Sequence, residues 1–139
     1  MTDAEFMKLA IKEAEKSKEP LKCGVVIVKD GEVVSKAFNT QRTDNNATAH
    51  AEVNAITLAG KQLRYKNLEG CVVYGTCEPC TMCLSAMIFA RIDKLAYGLS
   101  LREVSSEIID IDIDTFLNKS PYRFEVVKNY MEDECRKLL

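Results

Sequence analysis

The chain has 139 residues, 47% hydrophobic and 29% charged, with a formal net charge of −2 at neutral pH. That is enough apolar material for one globular domain with a buried core, and it excludes a disordered or low-complexity chain. The absence of a large cationic excess argues against broad, non-specific contact with a phosphate backbone, while leaving room for a local basic patch.

No apolar run approaches the ~18 residues of a membrane span. The acidic start Thr2-Asp3-Ala4-Glu5 lacks the basic-then-apolar order of a secretory leader. A cytoplasmic location is therefore expected. In that setting the six cysteines read as metal ligands and reduced core thiols rather than as a disulfide framework.

In chain order, Thr2 and Glu5 form a capping-box pair that opens a helix to about Ser17, with Phe6, Leu9, Ala10 and Ala14 on one face. Glu19-Pro20 ends it. Cys23 to Val28 is a valine- and isoleucine-rich strand. Asp30-Gly31 is a hairpin turn, and Glu32 to Phe38 returns as the second strand. The polar stretch Asn39 to Thr48 is a loop. Ala49 to about Leu63 is an alanine-rich helix, Cys71 to Thr76 a strand, and Pro79 starts a helix reaching about Ala90. Lys94 to Gly98 is a fourth strand. A short helix is placed around Leu101 to Glu107, and the alternation Ile111-Asp112-Ile113-Asp114 reads as strand or loop. Arg123 to Val127 is a fifth strand and Met131 to Leu139 a closing helix. This order implies one α/β domain, residues 1–139, with a mixed sheet between helical layers.

Two short segments carry chemistry. His50-Ala51-Glu52 falls in the first turn of one predicted helix and Cys80-Thr81-Met82-Cys83 in the first turn of another, with the two thiols at i and i+3 on one face. Helix N-termini favour thiolates. His50, Cys80 and Cys83 together offer three ligands to one zinc ion per chain and leave a fourth position open, the pattern of a catalytic rather than a closed structural site. Glu52 stands beside it as a proton carrier. Spacing alone supports an open zinc site with an adjacent acid. A redox-active Cys-x-x-Cys would stand without the paired His-x-Glu. A closed site would need Cys77 as fourth ligand. Cys23, Cys71 and Cys135 read as small buried hydrophobes, and Lys36, Arg42, Lys61, Arg64 and Lys66 as solvated charges.

Thr48-Ala49-His50-Ala51-Glu52 and Cys77-Glu78-Pro79-Cys80-Thr81-Met82-Cys83 match the H-x-E and P-C-x-x-C signature of zinc nucleobase deaminases. On these motifs the chain resembles the cytidine-deaminase-like superfamily, in the branch of guanine deaminases, fungal-type cytosine deaminases and tRNA adenosine deaminases. Met131-Glu132-Asp133-Glu134-Cys135 is similar to the segment opening that branch's last helix. The resemblance implies a three-layer α/β/α sandwich with a five-stranded mixed sheet. It implies zinc on His50, Cys80 and Cys83, with Glu52 as proton shuttle. It also implies a base held by Asn39 and by the Ala51 N–H, the Cys80 N–H near the reacting carbon, and a homodimer. Helix faces such as Met82, Met87, Ile88 and Phe89 exceed what one small domain must bury, which agrees with that last expectation.

Substrate is not written in the motifs. RNA recognition calls for basic surface and stacking aromatics, whereas this chain is acidic and stops at Arg136-Lys137-Leu138-Leu139. A small base or nucleoside of guanine or cytosine type is the favoured substrate. Adenosine in a tRNA is the alternative, and a non-catalytic zinc-stabilised binding module the second alternative, which an intact Glu52 argues against. The branch's usual proline, apolar residue and glycine before the first strand appear here as Pro20-Leu21-Lys22-Cys23-Gly24. This places Lys22 or Cys23 near the pocket wall, with Cys23 a weaker substrate contact. The short C-terminus would leave less material to close over the site.

Overall fold

The computed structural model describes residues 1–105 and 111–139. In order these form α1 (Asp3–Glu15), β1 (Gly24–Lys29), β2 (Glu32–Phe38), α2 (Ala51–Leu63), β3 (Cys71–Cys77), α3 (Thr81–Ala90), β4 (Lys94–Leu99), α4 (Leu101–Val104), α5 (Ile113–Asn118), β5 (Glu125–Val127) and α6 (Glu132–Arg136).

Local chemistry fixes the first elements. The Thr2 hydroxyl accepts the Glu5 N–H at 3.2 Å, and the Glu5 carboxylate accepts the Thr2 N–H, so the capping box satisfies two of the orphan donors at the start of α1. Asp30 and Gly31 both take positive φ, 50° and 77°, as a type I′ hairpin turn requires. β1 and β2 therefore pair antiparallel across Lys29↔Glu32.

The sheet runs β2-β1-β3-β4-β5. β1 is antiparallel to β2 and to β3, while β3, β4 and β5 are parallel. The alternation of β1 divides the core. Val25 and Ile27 face a cluster built from Ala51, Ala55 and Ala59 of α2, Leu84 and Met87 of α3, and Ile113 and Leu117 of α5. Val26 and Val28 face the opposite cluster, with Phe6, Met7 and Ala10 of α1 and Cys135 of α6. Helices thus cover both faces of a five-stranded mixed sheet, the architecture expected from the sequence. Among the described residues no helix is long and apolar enough to cross a membrane.

Several boundaries and one element differ from the sequence reading. α2 and α3 each start later, at Ala51 and Thr81, because His50 and Cys80 hold extended backbone at the N-cap (ψ 155° and 173°). The fifth strand is shortened to Glu125–Val127 and the closing helix to Glu132–Arg136. α4 covers Leu101–Val104, and Glu107 lies outside the described residues. Where Ile111 to Asp114 reads as strand or loop, the chain forms the start of α5. The Asp112 carboxylate accepts the Thr115 N–H at 2.8 Å as an N-cap, and Ile113 and Leu117, four apart, are both buried.

The apolar face read as surplus is largely used within the chain. Met87 is fully buried, Met82 and Ile88 are half-buried, and Phe89 alone of the four stands out at 83% exposure.

Candidate active site

The helix starts of α2 and α3 meet at the carboxyl ends of the parallel strands β3 and β4, the position where open α/β sheets place ligands. Each approach is tied down. Asn54, in the first turns of α2, donates its side-chain N–H groups to Phe38 O at 2.9 Å and to the Thr40 hydroxyl at 3.0 Å, which fixes the loop leading to His50. Glu78 donates its backbone N–H to Leu99 O at 2.7 Å, and its carboxylate accepts the Leu101 N–H at 3.1 Å. The β3–α3 turn carrying Cys80 is thereby pinned to β4 and to the start of α4.

His50 Nδ1 lies 3.7 Å from Cys80 Sγ and 3.6 Å from Cys83 Sγ, and the two sulfurs are 3.7 Å apart. A tetrahedral zinc ion with Zn–S of ~2.3 Å and Zn–N of ~2.05 Å spans S···S edges of about 3.8 Å and N···S edges of about 3.6 Å. The three donor atoms form the triangular face of such a tetrahedron, so the residues fit the metal. They are the one group of three or more potential ligands among the described residues. Cys77 does not join it. The Cys77 sulfur instead lies 3.0 Å from Cys23 Sγ, which removes the fourth ligand that a closed site would need.

Glu52 is the second residue of α2 and only 6% exposed. Burial raises its carboxyl to about 7, against the opposing pull of its own backbone N–H. The thiols divide their protons unequally. Their mutual hydrogen bond, with the contact to His50, holds Cys80 down to about 4; the same hydrogen bond, with burial, pushes Cys83 up, and the Cys80 contact raises His50. A dication placed among them favours the thiolates and the Glu52 carboxylate together.

Beside this group lies a cavity of about 580 Å³, within the range for small-molecule sites. Asn39, Ala51 and Cys23 all line it; Lys22 does not. Asn39 is buried, and its carboxamide is already engaged. The Oδ1 atom accepts the Cys23 N–H at 3.0 Å and Nδ2 donates to Leu21 O at 2.7 Å. One amide proton is left for a ligand. Sequence reasoning passed over Glu19, Gln41 and Glu78, which also line the cavity. Glu19 accepts the Arg42 N–H at 3.0 Å, and Gln41 has a buried side-chain oxygen without a partner. The signal for Glu78 was present inside the cysteine motif. Nothing in the polar 39–48 loop singled out Gln41.

Residues 1–99 match the family model of the cytidine and deoxycytidylate deaminase zinc-binding region, and the chain belongs to that family. Its members are zinc-dependent hydrolases of C–N bonds, so the reading as a non-catalytic module is set aside. The tRNA-specific adenosine deaminase of Bacillus subtilis (strain 168) is 35% identical over 99% of this chain and 86% of its own length. The guanine deaminase of the same strain is 41% identical over 69% of this chain, and the match spans 60% of that relative. In structure, a protein solved in a study of tRNA:A34 deaminases, which edit A to I at the wobble position of transfer RNA, superposes with a TM-score of 0.85. It is 34% identical, with 98% of this chain and 99% of the other covered.

Proposed function

We propose that this chain, acting as one domain over residues 1–139, hydrolyses the exocyclic amine of a small heteroaromatic base or its nucleoside and releases ammonia. The observation that carries the substrate class is the lining of the cavity. Among the described residues it presents no lysine, no arginine and no Phe, Tyr or Trp ring, and its one imidazole, His50, is a candidate metal ligand, whereas RNA-reading pockets rely on phosphate-binding cations and stacking rings.

In this reading His50, Cys80 and Cys83 hold zinc. The ion supplies Lewis acidity and lowers the pKa of the attacking water towards neutrality. Glu52 takes a proton from that water and passes it to a ring nitrogen; as the C–N bond breaks it carries the second proton, from the oxygen now bonded to the ring carbon, to the departing amine. Its burial keeps solvent from competing for the proton. Asn39 offers its remaining amide proton to the base, and the Ala51 N–H, at the first position of α2, meets a ring carbonyl.

A second reading, adenosine in a tRNA anticodon loop, is favoured by the near full-length likeness to the tRNA-specific relative. Both readings are tested by incubating zinc-loaded protein with guanine, cytosine, adenine and their nucleosides, and separately with tRNA transcripts. Ammonia release from a free base or nucleoside supports the first. Inosine formed only in tRNA rejects it in favour of the second. A homodimer is proposed through the exposed Phe89 face of α3; a monomer mass in light scattering of the zinc-loaded chain rejects it.

A further inference from the structure

The site described above leaves one pair of nucleophiles unused. Cys23 precedes β1 and Cys77 ends β3, 54 residues apart in sequence, yet their sulfurs are 3.0 Å apart. Strand register causes the approach. β1 and β3 are antiparallel with Val25 opposite Gly75, so Cys23 and Cys77 occupy the next facing position of the same side-chain parity. Facing residues on antiparallel strands have Cα atoms about 4.5–5.5 Å apart, inside the range of about 4.4–6.8 Å that a disulfide spans. The two strand ends are also cross-tied between the cysteines, since Gly24 N–H donates to the buried Thr76 hydroxyl at 3.0 Å. Both thiols line the reaction cavity, with Cys23 half-exposed and Cys77 5% exposed.

We propose that Cys23 and Cys77 form a site of reversible oxidation, closing to a disulfide in the wall of the reaction cavity without drawing on the metal-ligand cysteines. The oxidant is hydrogen peroxide. The sulfur of Cys23, the less buried of the two residues, attacks a peroxide oxygen. The O–O bond breaks, and Cys23 becomes a sulfenic acid as one water leaves. The Cys77 sulfur then attacks the Cys23 sulfur, an S–S bond forms, and the sulfenic oxygen leaves as a second water. Two electrons pass from the sulfur pair to the peroxide, and both thiol protons end in water. A dithiol reductant reverses the change by thiol–disulfide exchange. The hydrogen bond to Cys77 and burial hold the Cys23 thiol up, so the first attack is slow. The second is fast because the resolving sulfur is already in place. The result is a cavity wall whose shape depends on redox state.

The test exposes zinc-loaded protein to hydrogen peroxide, alkylates the remaining thiols under denaturing conditions, and reads linkage by tandem mass spectrometry alongside zinc content. Tryptic cleavage after Lys22 and Lys29 isolates Cys23, while the peptide from Asn67 to Arg91 carries Cys71, Cys77, Cys80 and Cys83, so fragment ions must assign the partner. The expected product is a Cys23–Cys77 link with zinc retained, reopened by dithiothreitol. In Cys77→Ala protein the peroxide product stops at a Cys23 sulfenic acid that dimedone traps. A Cys80–Cys83 link with zinc lost, a Cys23 link to any other cysteine in the variant, or unlinked thiols after peroxide would each overturn the proposal. None of these readouts uses a deamination substrate, so they stand apart from the functional reading.

Discussion

Gly24 is where β1 packs directly against the backbone of α1. A Cβ built there lies 2.0 Å from Ala10 O, 2.5 Å from Ala14 N and 3.0 Å from Ala14 Cα. All three are backbone atoms of α1, so no side chain can rotate away. Ordinary C···O contact begins near ~3.3 Å, and Gly24→Ala therefore requires α1 to move off the sheet by about 1 Å. A gap of that size forfeits roughly a quarter to a half of each dispersion contact along a face where Met7, Ala10 and Ala14 are fully buried. Overpacking with flexible neighbours costs about 1–3 kcal/mol; with rigid ones the upper end applies, about 3 kcal/mol. For a chain of 139 residues the unfolding entropy is about 0.3 kcal/mol per kelvin, which gives a fall in Tm of about 10 °C. Gly31→Ala is the control. Gly31 sits at φ +77° with nothing within 4 Å of the added carbon, so only conformational strain of about 1 kcal/mol applies, a fall of about 3 °C. Calorimetric melts of the zinc-loaded variants check both. If Gly24→Ala melts no lower than Gly31→Ala, the steric account of how α1 docks is wrong.

Three further outcomes are expected. Glu52→Gln keeps zinc at one per chain but loses at least about 100-fold in kcat/KM. Its Tm does not fall, because a buried carboxyl gives way to a neutral isostere; unchanged turnover by ammonia assay would remove Glu52 from the mechanism. His50→Ala leaves two thiolates for the metal, so zinc content by atomic emission falls below one per chain and the melting advantage of added zinc shrinks. Asp112→Ala removes the N-cap of α5 and lowers Tm, by less than Gly24→Ala does, with zinc content unchanged; an unaltered melt would mean that α5 does not depend on its cap.

What could be read in the sequence was what depends on near neighbours. The Thr2/Glu5 capping box, the Asp30-Gly31 turn and the thiols three apart at Cys80 and Cys83 are local patterns with local causes. His50 is far from Cys80 and Cys83 in the chain, yet the donor chemistry of all three names them before geometry does, and the structure places them within ligand distance. Asp112 shows how a local pattern misleads. Ile-Asp-Ile-Asp alternates like a strand, but the second aspartate's neighbour Thr115 supplies a helix-start N–H that an alternation count does not see. Met87 shows the limit for surfaces, since an apolar α3 face does not reveal how much of it the chain's own sheet covers. The Cys23–Cys77 approach was beyond reach, because it follows from β1–β3 register and not from any motif. Asn39 is named by the family resemblance alone, and its two bonds to the Leu21 and Cys23 backbone depend on the folded loop.

The placement of the metal group also explains why two of its members sit where they do. An N-cap side chain normally accepts an N–H from the first turn of its helix, an interaction worth about 1 kcal/mol. His50 and Cys80 are the N-caps of α2 and α3, and neither makes a capping bond. In α2 the Asn54 N–H is the first to find an intrahelical carbonyl, on His50, so the amides before it have no partner within the helix. If these residues hold the metal, as proposed, the two positions exchange capping for ligation. Their extended backbone aims a donor atom out of each helix start, and the same lack of capping leaves positive helix ends beside the metal group. Serine or aspartate at either position would make a better helix and a poorer site. On the proposed reading, zinc joining the ends of α2 and α3 would recover the stability given up at the two helix starts and would couple the folding of this corner to the metal.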